Sequence, residues 1–371
     1  MKSIALLGAS HIHVPGFMKR FREREGLTIS HVWDHIPDRR AKWAAEMGAQ
    51  SIADPAEALN DASVDAVIVC SETVLHTPLV SAVAAAGKPV FVEKPLGMDG
   101  ADSTGMAQAI AAAGVPFQTG FFMRGAPVNL FLKARIQDGS FGRITRVRQS
   151  NCHAGLFAGY FDTDWRWMAD RGQAGVGAFG DLGAHALDLL LWWLGPVESA
   201  AAVLGSATGR FGDIDEYGEG LLHFENGVAA TLGAGWVDLA NPVTTEISGT
   251  AGHAVVFNKE LFFRSQHIAG ATGTAPWTAL PPAQPAGFDL FLDWLQGNAS
   301  TANFVSAAEC AERDTVMEMM YLSLIHIYGV DALIRQDLVE VAGQTRDAVL
   351  LAPAVQGGGV GVVARDNLGI G

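Results

Sequence analysis

Glu93-Lys94-Pro95 carries the first chemical signal in this chain. The tripeptide follows Gly87-Lys88-Pro89 and the apolar run Val90-Phe91-Val92, so it reads as a strand emptying into a loop. In an open α/β sheet, ligands bind at the carboxyl ends of the strands. A lysine at that place meets a substrate, whereas a lone loop lysine is an ordinary solvated charge. Asp181 and His185 give the second signal. They are four positions apart and share a face if the segment is helical. Imidazole titrates near neutrality, which suits proton transfer, and a neighbouring carboxylate orients it. Taken alone, the same pair also fits a helix N-cap and a polar helix face.

Gly8-Ala9-Ser10-His11-Ile12-His13 follows an apolar run and precedes a helical pattern. The glycine fingerprint of dinucleotide sites wants glycine at 8, 10 and 13, and only Gly8 matches. Ser10 stands where backbone approaches pyrophosphate, and its hydroxyl suits a helix cap or a phosphate oxygen. His13 is bulky where the third glycine allows close packing. Asp34 strengthens the match, because it ends the second strand pattern, 21 positions after His13. An acidic residue there binds the ribose hydroxyls of NAD, and its charge repels the 2′-phosphate of NADP. NAD is therefore the expected cofactor rather than NADP; the competing reading of Asp34 is a helix N-cap. His11 and His13 show no third ligand in the sequence, and no metal is expected.

The elements that must hold these groups alternate through the first 120 residues. Strands are predicted at Ile4–Leu7, Thr28–Trp33, Ala66–Cys70, Val90–Val92 and Val115–Thr119. Helices are predicted near Pro15–Arg24, Pro37–Met47, Pro78–Ala86 and Asp99–Ala113. This alternation predicts a doubly wound parallel sheet. After a helix near Pro127–Gln137 the pattern changes to antiparallel strands, with hairpin signals at Glu225-Asn226-Gly227 and Gly249–Gly252. Further helices are predicted at Leu182–Leu194, Phe288–Leu295 and Ser306–Tyr321, and Ala269–Gly287 reads as a loop. Trp192 and Trp193 read as core.

The 371-residue chain is 49% hydrophobic with net charge −14, which argues against nucleic acid or an anionic membrane as the main partner. No apolar run reaches the roughly 18 residues of a membrane span. Cys70, Cys152 and Cys310 are odd in number and widely spaced, so neither a disulfide framework nor a metal motif is read, and a reducing cytoplasm is expected.

Asp34, the Val64–Val69 strand, His76, Ala86-Gly87-Lys88-Pro89-Val90 and Glu93-Lys94-Pro95 come in the order and spacing of one family. Trp165-Arg166, the glycine-rich Gly172–Gly180 and Asp181–Asp188 look like its second-domain motif. The chain resembles the Gfo/Idh/MocA family (glucose–fructose oxidoreductase, inositol dehydrogenase) over about residues 1–321. The resemblance implies an NAD-binding Rossmann domain at 1–121 and an α+β domain at 122–321 with an open, mostly antiparallel sheet. One face of that sheet commonly forms subunit contacts, so a homodimer or homotetramer is expected.

It also implies hydride transfer between NAD and a secondary alcohol or ketone of a sugar, polyol or related compound. His185 would take the hydroxyl proton, Asp181 would assist it, and Lys94 would stabilise charge on the substrate oxygen. The cofactor-contacting set is then Gly8, Ser10, His11, Ile12, Asp34, Ser71, His76, Glu93, Lys94 and Arg166. The substrate-facing set is Lys94, Arg124, Trp165, Asp181 and His185. An NAD-dependent glycoside hydrolase acting by transient oxidation, and a non-catalytic NAD-binding sensor, are the competing functions.

The end of the chain reads differently. Leu322-Ser323-Leu324-Ile325-His326-Ile327 is what one frame of a transposon-end adapter encodes, and Gly329–Gly371 lacks aromatic residues, lysine and methionine. The expectation is that native sequence stops near Tyr321 and that 322–371 is an assembly chimera or out-of-frame translation, with an unusual natural extension as the alternative.

Overall fold

In the computed structural model, residues 1–328 are described. The first part alternates strand and helix: β1 (Lys2–Ala9), α1 (Val14–Arg22), β2 (Leu27–Trp33), α2 (Pro37–Met47), β3 (Gln50–Ile52), α3 (Pro55–Leu59), β4 (Ala66–Cys70), α4 (His76–Ala85), β5 (Val90–Val92), α5 (Gly100–Ala113) and β6 (Phe117–Thr119). The six strands pair in the order β3-β2-β1-β4-β5-β6, all parallel. Order reverses between β1 and β4, which opens the crevice where such sheets bind ligands.

Both faces of this sheet are apolar, as a parallel sheet covered on both sides requires. Ile4, Leu6, Ile68 and Phe91 look toward Phe17 of α1. Ala5, Leu7, Val67 and Val92 look toward Leu79, Val80 and Met106 of α4 and α5.

The second part begins with α6 (Pro127–Gln137) and β7 (Ile144–Cys152). It continues through α7 (Arg171–Ala174), α8 (Ala178–Leu194), β8 (Val197–Gly205), β9 (Tyr217–Phe224), β10 (Ala229–Gly235), β11 (Val243–Gly249), β12 (Gly252–Phe257), β13 (Glu260–Ser265), β14 (Thr272–Pro276), α9 (Gly287–Leu295) and α10 (Ala307–Tyr328). Its eight strands run β14-β13-β12-β11-β7-β10-β9-β8, antiparallel except for the β7–β10 pair. Buried and exposed residues alternate strictly along β9, so one face packs and the other is open.

The helix α8 lies on the packed face, and 14 of its 17 residues are buried, so it is a central helix rather than a surface one. Two late elements return to the first sheet. Phe288, Phe291 and Leu292 of α9 join the core of Phe17 and Phe91, with the Phe17 and Phe288 rings stacked at 4.2 Å. Val305, Ala307 and Cys310 join the core on the opposite face.

The structure differs from the sequence reading in several elements. The short β3 and α3, and strands β8, β13 and β14, were not expected. β8 is alanine-rich, with little β-branched character. β14 is a largely exposed edge strand inside the predicted loop Ala269–Gly287. The β12–β13 turn uses Asn258 and Lys259, both at positive φ, in place of a glycine signal. Trp193 is core and Trp192 only half-buried. The helix predicted to end at Tyr321 runs to Tyr328, since no Gly or Pro interrupts it before Gly329. The Ala202 N–H donates to the Ser323 hydroxyl at 3.0 Å. The rest of the segment expected to be artefactual lies outside the described residues.

Candidate active site

The β5 strand ends at Val92 and delivers Glu93 and Lys94 to the crevice, both buried. Lys94 Nζ donates to Asp181 Oδ1 at 2.5 Å and to the Asp181 carbonyl at 3.1 Å. The indole of Trp236, just past β10, donates to Asp181 Oδ2 at 3.0 Å. Burial works against the Asp181 charge, but the Lys94 ammonium and the Lys94 and Trp236 hydrogen bonds outweigh it and hold the carboxyl well below its ordinary range.

One turn further along α8, His185 is buried between Phe121 and Phe122, at ring distances of 5.8 and 5.1 Å. Its Nδ1 has no hydrogen-bond partner among the described residues. Burial, and then the nearby Lys94 ammonium, push this imidazole well below the ordinary histidine range. The sequence reading paired Asp181 with His185. In the structure Asp181 serves Lys94 and Trp236 instead, and aromatic packing orients the imidazole.

The start of α8 is held by groups far away in sequence. Phe179 N–H donates to Asp215, and Gly177 and Gly180 N–H groups donate to the Tyr321 hydroxyl, which itself donates to Asp215. Orphan donors at a helix N-terminus are thus satisfied without a local capping side chain. This fixes the turn that carries Asp181.

Gly8 has φ +83°, and a Cβ there would stand 2.4 Å from Ser71 Cβ, so only glycine fits. Ser10 and His11 are buried, and Ile12 packs toward the second-domain core. The Trp167 indole of the second part donates to the Ser10 carbonyl at 3.1 Å and pins the loop. Next to the loop lies a cleft of about 480 Å³, walled by Ser10, His11, Arg39, Lys42, Trp43 and Trp165. Trp165, expected to face substrate, therefore stands against the nucleotide loop.

Asp34 is fully buried at the end of β2. Its Oδ2 accepts from Ala9 N–H at 2.8 Å and from Arg39 Nε at 2.7 Å, and its Oδ1 accepts from Ile36 N–H at 2.8 Å. Arg39 also donates to Glu72 at 2.7 Å. The expected ribose acceptor is thus covered by a guanidinium that the sequence reading had not placed there.

Other expected cofactor and substrate residues have structural partners. His76 bridges loops: Nδ1 lies 3.1 and 3.0 Å from the carbonyls of Pro95 and Leu96, and Nε2 lies 3.3 Å from that of Ser71. The Ser71 hydroxyl donates to the Glu72 carbonyl. Arg166 donates to the Ala169 carbonyl and sits 4.4 Å from the Phe211 ring centre. Arg124 does not reach Lys94; it ties Asp188 of α8 to Glu309 of α10 at 2.8 and 2.9 Å. Arg313, also on Asp188, completes a charge cluster that is buried at Asp188 and Arg313 and opens toward solvent at Glu309. Asp188 is a fully buried charge inside an otherwise apolar stretch of α8, and the two guanidinium groups are its partners.

The fold also brings Glu93 to the two histidines of the nucleotide loop. Glu93 Oε1 lies 3.3 Å from His13 Nδ1, and Oε2 lies 3.9 Å from His11 Nε2. Glu93 is fully buried, and a Cβ on Gly120 would stand 2.7 Å from its carboxylate, so the glycine makes room for it. Burial opposes the Glu93 charge, but the His13 contact and the Lys94 ammonium outweigh it and keep the carboxyl below its ordinary range. Burial pulls His11 down to about 3. Sequence spacing gave no hint of this third group, 80 residues from His13.

The crevice at the carboxyl ends of the parallel sheet thus brings a lysine, a carboxylate and a buried histidine beside the loop after β1, on a Rossmann-type fold. Residues 2–121 match the family model described as an oxidoreductase family with an NAD-binding Rossmann fold, and residues 130–255 match its C-terminal domain. The chain belongs to the Gfo/Idh/MocA family.

It is 28% identical over 259 residues to levoglucosan dehydrogenase of Pseudarthrobacter phenanthrenivorans, covering 60% of this chain and 63% of that protein. It is 26% identical over 250 residues to scyllo-inositol 2-dehydrogenase (NAD+) of Bacillus subtilis, covering 66% of this chain and 69% of that protein. Its fold matches a levoglucosan dehydrogenase solved with NADH and levoglucosan, with a TM-score of 0.71 at 20% identity over 87% of this chain and 96% of that one. Among the described residues, no helix is long and apolar enough to cross a membrane.

Proposed function

We propose that this protein transfers hydride between NAD(H) and a secondary alcohol or ketone of a sugar, polyol or related compound. The observation that supports the reading is the Lys94–Asp181 pair at the end of β5, with His185 one turn along α8, close enough to feel the Lys94 charge, and its Nδ1 buried and unpartnered among the described residues. A neutral imidazole accepts the hydroxyl proton as hydride leaves carbon. Lys94, held by Asp181, donates to the substrate oxygen and stabilises its developing charge. Bound NAD supplies the hydride acceptor. Retention of all three groups disfavours a sensor that only binds NAD.

The substrate class is the one named for the relatives, which include levoglucosan, anhydrofructose and inositol enzymes. NAD is proposed over NADP because Asp34 lies at the end of β2; the ribose hydroxyls would take the place Arg39 occupies on it. A homodimer or homotetramer is proposed through the open sheet face, where Val203, Tyr217 and Leu221 are exposed.

The test is incubation with NAD and a panel of sugars, polyols and glycosides, reading NADH formation and glycoside cleavage. On the substrate found, Lys94→Ala and His185→Ala should each lower turnover about 10²-fold or more. NADH binding should persist in His185→Ala. Near-normal turnover in both variants refutes the assignment.

A further inference from the structure

We propose that His11, His13 and Glu93 form a binding site for one divalent cation of the zinc, cobalt or iron type. Their donor atoms all lie within 4.8 Å of one another. Two imidazoles and one carboxylate are a donor set such cations favour, with open positions left for water or a ligand. Bonds of about 2.0–2.1 Å to a tetrahedral cation place donors about 3.4 Å apart. His13 Nδ1 stands 3.3 Å from Glu93 Oε1 and His11 Nε2 3.9 Å from Oε2, so the carboxylate lies between the two imidazoles and presents one oxygen to each.

In the empty site His11 Nδ1 accepts from the His13 N–H at a long 3.3 Å, which leaves the ring proton on Nε2. Cation binding at Nε2 moves that proton to Nδ1 and gives up the long contact. The nearest competing positive charge, Lys94, is held by Asp181. Of the three, His11 also lines the nucleotide-side cleft, so a ligand to the open positions would enter from that side. The ligand class for those positions is anionic oxygen.

The experiment uses tag-free, full-length protein stripped with EDTA and titrated with Co²⁺, followed by calorimetry and visible d–d absorption. One Co²⁺ per chain is expected, with a spectrum of mixed nitrogen and oxygen ligation. His13→Ala and Glu93→Gln should each weaken binding at least about ten-fold. His13 is only half-buried, so its variant is expected to fold, as checked by circular dichroism. Absence of Co²⁺ binding, or binding that both folded variants retain, overturns the proposal. The readout needs no substrate, so it stands apart from the fate of the dehydrogenase assignment.

Discussion

Removal of His185 should change how the protein responds to acid. The imidazole is buried, and its folded-state proton affinity lies well below the ordinary value of 6.5. The sign follows from proton counting. Above 6.5 the ring is neutral in both states and contributes nothing. Below 6.5 the unfolded chain takes up a proton that the folded chain refuses, so stability falls as pH drops. Between pH 7.5 and 5.5 one such histidine accounts for about 1.4 kcal/mol. His11 and His76, likewise buried and lowered, add losses of the same sign.

The depressed carboxyls Asp181 and Glu93 behave oppositely in position: their contribution is present above the ordinary carboxyl range and fails only below it. They leave the window from 7.5 to 5.5 undisturbed. Denaturant unfolding of EDTA-treated, cofactor-free protein at several pH values, followed by tryptophan fluorescence, measures the decline. In His185→Gln it should be shallower than in the parent by about 1.4 kcal/mol over those two pH units. A variant that declines as steeply as the parent refutes the view that this histidine is held neutral.

Two further outcomes follow from the cofactor side. Arg39→Ala leaves the Asp34 charge uncovered, so NADPH affinity should fall about ten-fold or more while NADH affinity holds, as fluorescence titration of both cofactors would show. An equal loss for both would assign Arg39 a general role instead. Trp167→Phe deletes the hydrogen bond to the Ser10 carbonyl; a loss of about 1 kcal/mol corresponds to roughly five-fold weaker NADH binding, and an unchanged dissociation constant would remove the clamp from the account.

The parallel sheet was legible because Val, Ile and Leu runs alternate with helices at short spacing, and the Asp181/His185 face was legible because a helix of period 3.6 puts residues four apart together. Contacts that depend on tertiary approach were not. The meeting of Glu93 with His11 and His13, the covering of Asp34 by Arg39, and the Trp236 bond to Asp181 join segments with no periodic relation. Arg124 illustrates the limit of positional analogy: its place after Phe122 suggested substrate, yet buried Asp188 claims it. Strand β14 escaped because an exposed edge strand needs neither apolar alternation nor β-branched residues.

The return of α9 to the first sheet has a consequence for how the chain emerges from the ribosome. The face built by Phe17 and Phe91 is complete in sequence by residue 121, but the helix that covers it begins at Gly287. At about 5–20 residues per second, synthesis leaves that aromatic surface uncovered for roughly 10–30 s. A nascent chain in this interval presents a sticky sheet face to solvent, and the core shared by Phe17, Phe91 and α9 cannot close until α9 is made. Holdase chaperones have a defined target during that delay, and shortened chains ending before Gly287 carry the same exposed surface permanently.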